Sequence, residues 1–281
     1  MAFRLRVGGI EIGLEILSVG EMLIHEEIIP EMLEDLISDI KNTGKFRDPV
    51  IVDSETKVVL DGMHRVAAAR KLGLSGIPAC LVDYGDPKIK VGCWYRVIDG
   101  CDDEKFLKIV KLFGLVTTPA SIELALRKLE ERDATAAFLT HRSCHLVKAG
   151  RTDIFESYTW VKRIERAMKE EKCSIRYEIE EKALKEVSTG TAVLMVPCVT
   201  KDEVKRIALS GRLFSHKTTR HVIPARPVNV AVPVEWLDGR ISIGEANLKL
   251  EEYLSKRGFS TLPAGGVFDG RIYEEELVIF R

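Results

Sequence analysis

The sequence lacks glutamine altogether, and its only asparagines are Asn42, Asn229 and Asn247. Charged residues, by contrast, make up 30% of the 281 positions. Few labile amides together with many Glu, Lys and Arg side chains are typical of proteins from thermophiles. We therefore expect a thermophilic source.

Long apolar runs are also absent. No run approaches the roughly 18 residues of a transmembrane helix, and the N-terminal stretch MAFRLR has no secretory core. These absences predict a cytoplasmic protein. The formal net charge of -1 argues against a general polyanion binder.

The six cysteines are scattered and form no CxxC pair, which argues against a zinc site. Reduced thiols are the default expectation for a cytosolic enzyme, although thermophilic proteins also contain buried disulfides. Several nucleotide and catalytic motifs are missing too: GxxxxGK[ST], GxSxG, HExxH and the protein-kinase signature. Any nucleotide chemistry must therefore use another scaffold.

The most informative stretch is residues 61–65, Asp-Gly-Met-His-Arg, here called the aspartate turn. It follows a short apolar strand and precedes an alanine-rich helix that is predicted to end at Gly73. His64 and Arg65 fall in the first helical turn, where free backbone N–H groups and the helix dipole attract anions. The pattern indicates a phosphate site, with Asp61 as a candidate metal ligand. An ordinary helix N-terminus with a surface salt bridge is the open alternative.

Three further places carry candidate chemistry. Glu26 follows His25 just before a predicted helix and suits a general base, but it also suits a helix-capping acid. Trp94 is a flat wall for a ligand or a core residue of a strand. Residues 217–221, Lys-Thr-Thr-Arg-His, here called the basic loop, are dense in anion donors, although solvated charge would also explain them.

The element pattern predicts an α/β (α+β) protein in three parts. Short strands and two or three helices form a first domain, residues 1–114. Residues 115–229 form a second α/β domain that completes a cleft, and residues 230–281 form an accessory C-terminal extension. The aspartate turn and the basic loop are predicted to converge on that cleft.

These residues resemble a known family. The runs PVIV at 49–52, LDGMHRVAAARKLG at 60–73 and IP at 77–78 are similar to the ParB/sulfiredoxin superfamily. Within it, the chain resembles the archaeal free L-serine kinases, whose usual motif is DGHHR. His25-Glu26, the Trp94-Tyr95 pair and the basic loop followed by Pro224 agree with that group over roughly residues 14 to 230.

The resemblance implies a ParB/sulfiredoxin-like N-terminal domain and a kinase that converts free L-serine to O-phospho-L-serine, a compound of cysteine and serine metabolism. ATP or ADP would be the phosphoryl donor, with Mg2+ as cofactor. By matched position, Glu26 is the general base and Asp61 a catalytic acid near the metal. The other cleft positions fall into two groups. Gly62, His64, Arg65, Lys217, Thr218 and Thr219 are expected to bind the nucleotide and its phosphates, and Trp94, Arg220 and His221 are expected to bind the substrate.

Two features of the sequence depart from the family pattern, and there are three alternatives to the kinase function. Met63 replaces the first histidine of DGHHR, and residues after 230 go beyond the family's usual end. A ParB-like nucleotide- and DNA-binding protein without kinase activity is the main alternative, although the charge balance and the absence of an obvious second DNA-binding module weigh against it. Sulfiredoxin chemistry needs a cysteine where Met63 stands. A regulatory protein that binds a nucleotide or an amino acid without turnover is the third possibility.

Overall fold

A computed structural model describes residues 3–150 and 153–281 of the chain. Its helices, in chain order, are α1 Pro30–Thr43, α2 Met63–Lys71, α3 Asp103–Leu112, α4 Ile122–Glu130, α5 Ile154–Glu170, α6 Glu180–Lys185, α7 Lys201–Leu209 and α8 Ile243–Ser255. Its first strands are β1 Phe3–Val7, β2 Ile10–Ser18, β3 Lys45–Phe46, β4 Val50–Asp53, β5 Val59–Asp61, β6 Gly76–Val82, β7 Lys90–Gly92, β8 Tyr95–Asp99, β9 Val116–Pro119 and β10 Ala136–Leu139. The remaining strands are β11 Cys144–Lys148, β12 Ser174–Glu178, β13 Thr191–Met195, β14 Arg220–Val222, β15 Ala225–Val228, β16 Val232–Pro233, β17 Phe259–Leu262, β18 Val267–Phe268, β19 Arg271–Ile272 and β20 Glu276–Phe280.

The predicted mixed α/β class is confirmed. Internal contacts divide the described residues into two compact units, each discontinuous in sequence. The first unit contains residues 3–90, 204–213 and 221–281. The second contains residues 91–150, 153–203 and 214–220. This grouping differs from boundaries at 114 and 230, and the three-domain division stays a prediction.

The first unit is built on a five-stranded sheet in the order β1-β2-β6-β4-β5. Strand β4 runs parallel to β6, and the other neighbours are antiparallel. The apolar segments predicted as strands form β4, β5 and β6, in which Val50, Val52, Val59 and Ile77 have no measurable exposure. The side chains of β1 and β2 instead alternate between less and more exposed positions. The aspartate turn follows directly from β5, at the edge of this sheet.

Residues after 230 are part of the first unit rather than a separate body. Helix α8 begins with a capping box formed by Ser242 and Glu245 and packs on β2. The Asn247 side chain accepts the backbone N–H of Ile16 at 2.7 Å and donates to the carbonyl of the same residue at 2.8 Å. Strand β20 lies between β15, to which it is parallel, and β17.

The second unit contains a six-stranded, fully antiparallel sheet in the order β12-β8-β13-β10-β11-β9. Its core contains the stacked rings of Phe106 and Phe138, whose centroids are 3.9 Å apart. The apolar run over residues 90–97 is typical of one strand, but this prediction is wrong, since the chain leaves the extended pairing at Cys93 and Trp94 between β7 and β8. None of the helices within residues 3–150 and 153–281 has the length and hydropathy needed to cross a bilayer.

Cys93 and Cys198 are joined by a disulfide in the second unit, so the default expectation of reduced thiols is wrong for this pair. The bond closes a loop with a sequence separation of 105 residues. Because a cross-link over so long a loop restricts the unfolded chain, we expect Cys198→Ser to lower the free energy of unfolding by about 2–4 kcal/mol under oxidising conditions. Urea unfolding would measure this, and reduced wild-type protein is the matched control. Identical curves for oxidised and reduced wild type would contradict the prediction.

Candidate active site

The aspartate turn lies where β5 ends and α2 begins. Gly62 is the residue before the first turn of α2 and has a φ of 93°, in the left-handed region that favours glycine. This bend lets the side chain of Arg65 return to Asp61, and Nη2 donates to Oδ2 at 2.5 Å. The predicted strand, turn and helix are therefore present, and the turn is closed by an ion pair.

A second guanidinium binds the same carboxylate oxygen. Arg226 donates from Nη1 to Oδ2 of Asp61 at 2.6 Å and from Nε to Glu275 at 2.5 Å. Burial alone would raise the pKa of Asp61, but the charges of Arg226 and Arg65 outweigh it and hold that pKa well below its usual range. Asp61 is therefore an anion throughout the ordinary pH range.

Gly62 also makes room for the ion pair. A Cβ atom at this position would lie 2.5 Å from Nε and 2.7 Å from Nη2 of Arg65. Gly73, at the other end of α2, has a φ of 68° and no heavy atom within 4 Å of such a Cβ. An alanine at Gly73 would therefore test backbone strain alone, whereas an alanine at Gly62 would add the displacement of Arg65.

We expect Gly73→Ala to cost about 1 kcal/mol of stability through strain alone. Gly62→Ala should cost more and should also weaken ADP binding, because Arg65 must move away from Asp61. Urea unfolding and calorimetric titration with ADP measure the two effects. Equal behaviour of the two variants in both measurements would contradict the role of Gly62.

His64 is placed in the first turn of α2, as predicted, and its ring contacts the start of α1. The Nε2 atom accepts the backbone N–H of Ile29 at 3.0 Å. An accepting nitrogen carries no proton, so this hydrogen bond assigns the ring proton to Nδ1 in the neutral form. His64 thus connects the aspartate turn to the N-terminus of α1.

Glu26 is 6% exposed and also lies in the first unit. Leu23 pairs in parallel with Val58, and Glu26 and Asp61 each come three residues later in their segments. The ring of His25 makes a backbone hydrogen bond with Val59, which ties the same two segments together. The structure therefore places the two segments that carry the candidate catalytic carboxylates side by side.

A cluster of rings lies beside this edge. His221 is 2.8 Å from the hydroxyl of Tyr84 through Nε2, and its ring centroid is 5.5 Å from that of His25. Burial, together with the charge of His221, holds the pKa of His25 well below its ordinary value. His25 is therefore neutral at pH 7 and packs as a fixed polar ring next to Glu26.

The rest of the basic loop belongs to the second unit, where Trp94 supports it. The indole Nε1 donates to the carbonyl of Thr219 at 3.0 Å. The Lys217 ammonium is 4.5 Å from the indole ring centroid, and the Arg220 guanidinium is 5.8 Å from it. These are cation–π distances, so Trp94 holds two cations of the loop at its ring face.

The two threonines of the basic loop are buried, with exposures of 0% for Thr218 and 7% for Thr219. The hydroxyl of Thr218 donates to the carbonyl of Ser215 at 2.8 Å, and the Tyr158 hydroxyl donates to the Thr218 carbonyl at 3.4 Å. Thr218 therefore shapes the loop in this conformation. The phosphate role assigned to its hydroxyl stays a prediction.

Arg96 supports Trp94 from within the sheet. It is fully buried, pairs with Glu165 at 2.5 Å and donates from Nη1 to the Trp94 carbonyl at 2.6 Å. Tyr177 donates to the same glutamate at 3.1 Å, and burial and the glutamate charge raise the pKa of Tyr177 to about 12. The buried guanidinium of Arg96, paired with Glu165, therefore holds the backbone of Trp94 in place.

The side chains around Asp61 fit a Mg2+ ion that is bound to a nucleotide better than a Mg2+ ion that is held by protein ligands alone. Within the described ranges no three His, Cys, Asp or Glu side chains form a metal cluster. Mg2+ commonly takes only one or two carboxylates, with substrate phosphates and water as its other ligands. Both arginines bind Oδ2 of Asp61, and none of the described residues hydrogen-bonds Oδ1. That oxygen fits a single protein ligand to the metal.

Sequence reasoning assigned no role to several residues that shape these clusters. Arg226 and Glu275 hold Asp61, Tyr84 contacts His221, and Arg96 supports Trp94. The one available signal was an arginine between Ala225 and Pro227 shortly after the basic loop. Their partners are distant in sequence, and no local pattern identifies them.

Known proteins with similar sequences include L-serine kinases. No protein-family model matches the chain. An ATP-dependent L-serine kinase of Staphylothermus marinus is 29% identical over 79% of this chain and 90% of the relative. An ADP-dependent L-serine kinase of Thermococcus kodakarensis is 28% identical over 79% of this chain and 91% of the relative.

A solved structure, a free serine kinase in complex with AMP, is 26% identical and has a TM-score of 0.68. The match covers 80% of this chain and 93% of that one. Sequence and fold therefore agree with the resemblance to the free L-serine kinases. Over about four fifths of its length, this chain is similar to the free L-serine kinases.

Proposed function

We propose that this protein is a free L-serine kinase that transfers a phosphoryl group from ATP or ADP to the serine hydroxyl and releases O-phospho-L-serine in the cytoplasm. One observation carries the proposal: the chain is similar to L-serine kinases over 79% of its length and has a pinned carboxylate at its DGMHR motif. The bond formed joins phosphorus to the serine oxygen, and the bond broken joins it to the oxygen of the departing ADP or AMP.

Phosphoryl transfer requires positioning and charge neutralisation more than covalent chemistry by the protein. Gly62 and Arg65, at the N-terminus of α2, would bind phosphate oxygens, with His64 orienting the same turn. Lys217 and Thr219 would add donors to the phosphates. Bound at Asp61, Mg2+ would neutralise phosphate charge and orient the transferred group.

Glu26 would accept the proton of the serine hydroxyl as the oxygen attacks. The other residues assigned to the substrate are Trp94, Arg220 and His221. Arg220 suits the serine carboxylate because a guanidinium binds it with two parallel hydrogen bonds. The convergence of the basic loop and the aspartate turn on one cleft stays a prediction.

The test is incubation of the full chain and Mg2+ with ATP or with ADP, and with L-serine, D-serine, L-threonine or L-homoserine. Both donors are used because the two relatives differ in theirs. Phosphorus NMR and mass spectrometry should detect O-phospho-L-serine, together with ADP from ATP or AMP from ADP. A salt-sensitive shift of duplex DNA without phosphoserine formation would favour the ParB-like alternative instead.

A further inference from the structure

The two oxygens of the Asp61 carboxylate have different surroundings. Oδ2 accepts two guanidinium hydrogen bonds, from Arg65 at 2.5 Å and from Arg226 at 2.6 Å. Oδ1 has no hydrogen-bond partner among residues 3–150 and 153–281, and the side chain is 38% exposed. One oxygen is thus anchored while the other is available to a ligand.

The anchor depends on the part of the chain after residue 230. Arg226 lies on β15, and Glu275 comes directly before β20. These strands are parallel, with Arg226 opposite Leu277. Glu275 comes two residues before Leu277 and so lies on the same face of the pair, diagonally across from Arg226, and the side chains meet at 2.5 Å. The N–H of Glu276 also donates to the Pro224 carbonyl at 3.0 Å.

The geometry of a guanidinium transmits this contact to Asp61. Its donors lie in one rigid plane, so fixing Nε at Glu275 also fixes the direction of Nη1. Both partners are mostly buried, with exposures of 17% for Arg226 and 16% for Glu275. Without Glu275, the side chain of Arg226 would keep only one of its two carboxylate contacts.

The balance of charge gives Glu275 a second effect. Asp61 and Glu275 carry two negative charges, and Arg65 and Arg226 carry two positive charges, so the cluster is neutral. Neutralising Glu275 would leave a net positive charge next to Oδ1. A positive cluster repels a divalent cation, and the carboxylate would bind Mg2+ more weakly.

We propose that Glu275 is a positioning residue: through Arg226 it anchors one oxygen of Asp61 and keeps the other directed to a magnesium nucleotide. The catalytic consequence rests on the proposed kinase function, but the coupling of Glu275 to Asp61 does not. The residues after 230 therefore complete the support of the aspartate turn. Their role is not an accessory one.

Thermal unfolding of the metal-free, nucleotide-free protein tests the coupling without any turnover. The variants are Glu275→Gln, Asp61→Asn and the double variant. We expect the Tm loss of the double variant to differ clearly from the sum of the two single losses, because both carboxylates bind the same arginine. Glu252→Gln, which removes an exposed charge in α8, should be additive with Asp61→Asn. Additive losses for Glu275→Gln would overturn the proposal.

Calorimetry with ADP tests the effect on the ligand. We expect Glu275→Gln to weaken ADP binding in the presence of Mg2+ at least fivefold and to leave the metal-free affinity within twofold. Glu275→Asp keeps the charge and should recover part of the loss. Glu275→Asp also replaces Glu275→Gln in this test if the glutamine variant does not fold. ADP binding by Glu275→Asp with the same dependence on Mg2+ as the wild type would then overturn the proposal.

Kinase assays separate this inference from the proposed function. We expect Glu275→Gln to lower kcat about tenfold and raise the Mg2+ concentration required, with the KM for serine unchanged. If wild-type protein makes no phosphoserine but the Tm losses are non-additive, the kinase function fails and the coupling stands. If wild type is active and Glu275→Gln shows the same Mg2+ requirement, the positioning role fails.

Discussion

Glu26→Gln is expected to lower kcat for phosphoserine formation by about 10²–10⁴-fold, the usual contribution of a general base. The amide has nearly the shape of the carboxylate but cannot accept the serine proton. The backbone segments around Glu26 are held by the Leu23–Val58 pairing, which the substitution does not touch. ADP affinity, measured by calorimetry, should therefore stay close to that of the wild type.

The adjacent Glu27 provides the matched control. Glu27→Gln removes the same charge one residue away, and turnover should change little. A comparable loss of turnover and of ADP affinity in Glu26→Gln would show that Glu26 supports the site rather than acting on the proton. Equal kcat losses in the two variants would point to the charge of the segment instead.

Asp61→Asn is expected to lower both the turnover number and the free energy of unfolding. Loss of the charge that faces the metal and phosphates should lower turnover by about 10²–10³-fold, as for other preorganised electrostatic groups. It also leaves two arginines with one carboxylate between them. Breaking a buried pair costs about 3–5 kcal/mol, and the 38% exposure of Asp61 reduces our expectation to about 2 kcal/mol.

The stability effect has a defined pH dependence. A carboxylate whose pKa is lowered in the folded state stabilises the fold above its unfolded pKa, and that contribution is lost as the pH falls towards the folded value. The difference between wild type and Asp61→Asn in urea unfolding should thus be constant near pH 7 and shrink below about pH 4. Asp35→Asn, on the exposed face of α1, is the control. A pH-independent difference would contradict the ion-pair account.

The sequence predicted the elements whose signals are local. Pro30 suits the first position of a helix, the one-sided apolar stripe from Leu33 to Ile40 predicts its body, and Gly44 predicts its end. These bounds are close to those of α1, Pro30–Thr43. Strands β9, β10 and β11 were not predicted. They are short, and the buried run of β10 reads Ala-Ala-Phe-Leu, which lacks the β-branched residues that favour a strand.

The candidate site was predictable to the same extent. Gly62 and Arg65 lie beside Asp61 in sequence, so the turn and its ion pair follow from local geometry. Arg226 reaches Asp61 across 165 residues and Glu275 across a further 49. Such pairs depend on strand order, and strand order is set by the packing of the whole unit. The discontinuity of the two units escaped prediction for the same reason.

The connectivity of the first unit also fixes the order in which a nascent chain can assemble it. All five strands of its main sheet come from residues 3–82, so this sheet can form soon after the segment leaves the ribosome. The second arginine and the glutamate that brace Asp61 are translated much later, and contacts of such long sequence separation form slowly. During synthesis the sheet that carries Asp61 therefore precedes its support, and the contacts of Asp61 with Arg226 and of Arg226 with Glu275 are complete only when β15 and β20 have paired.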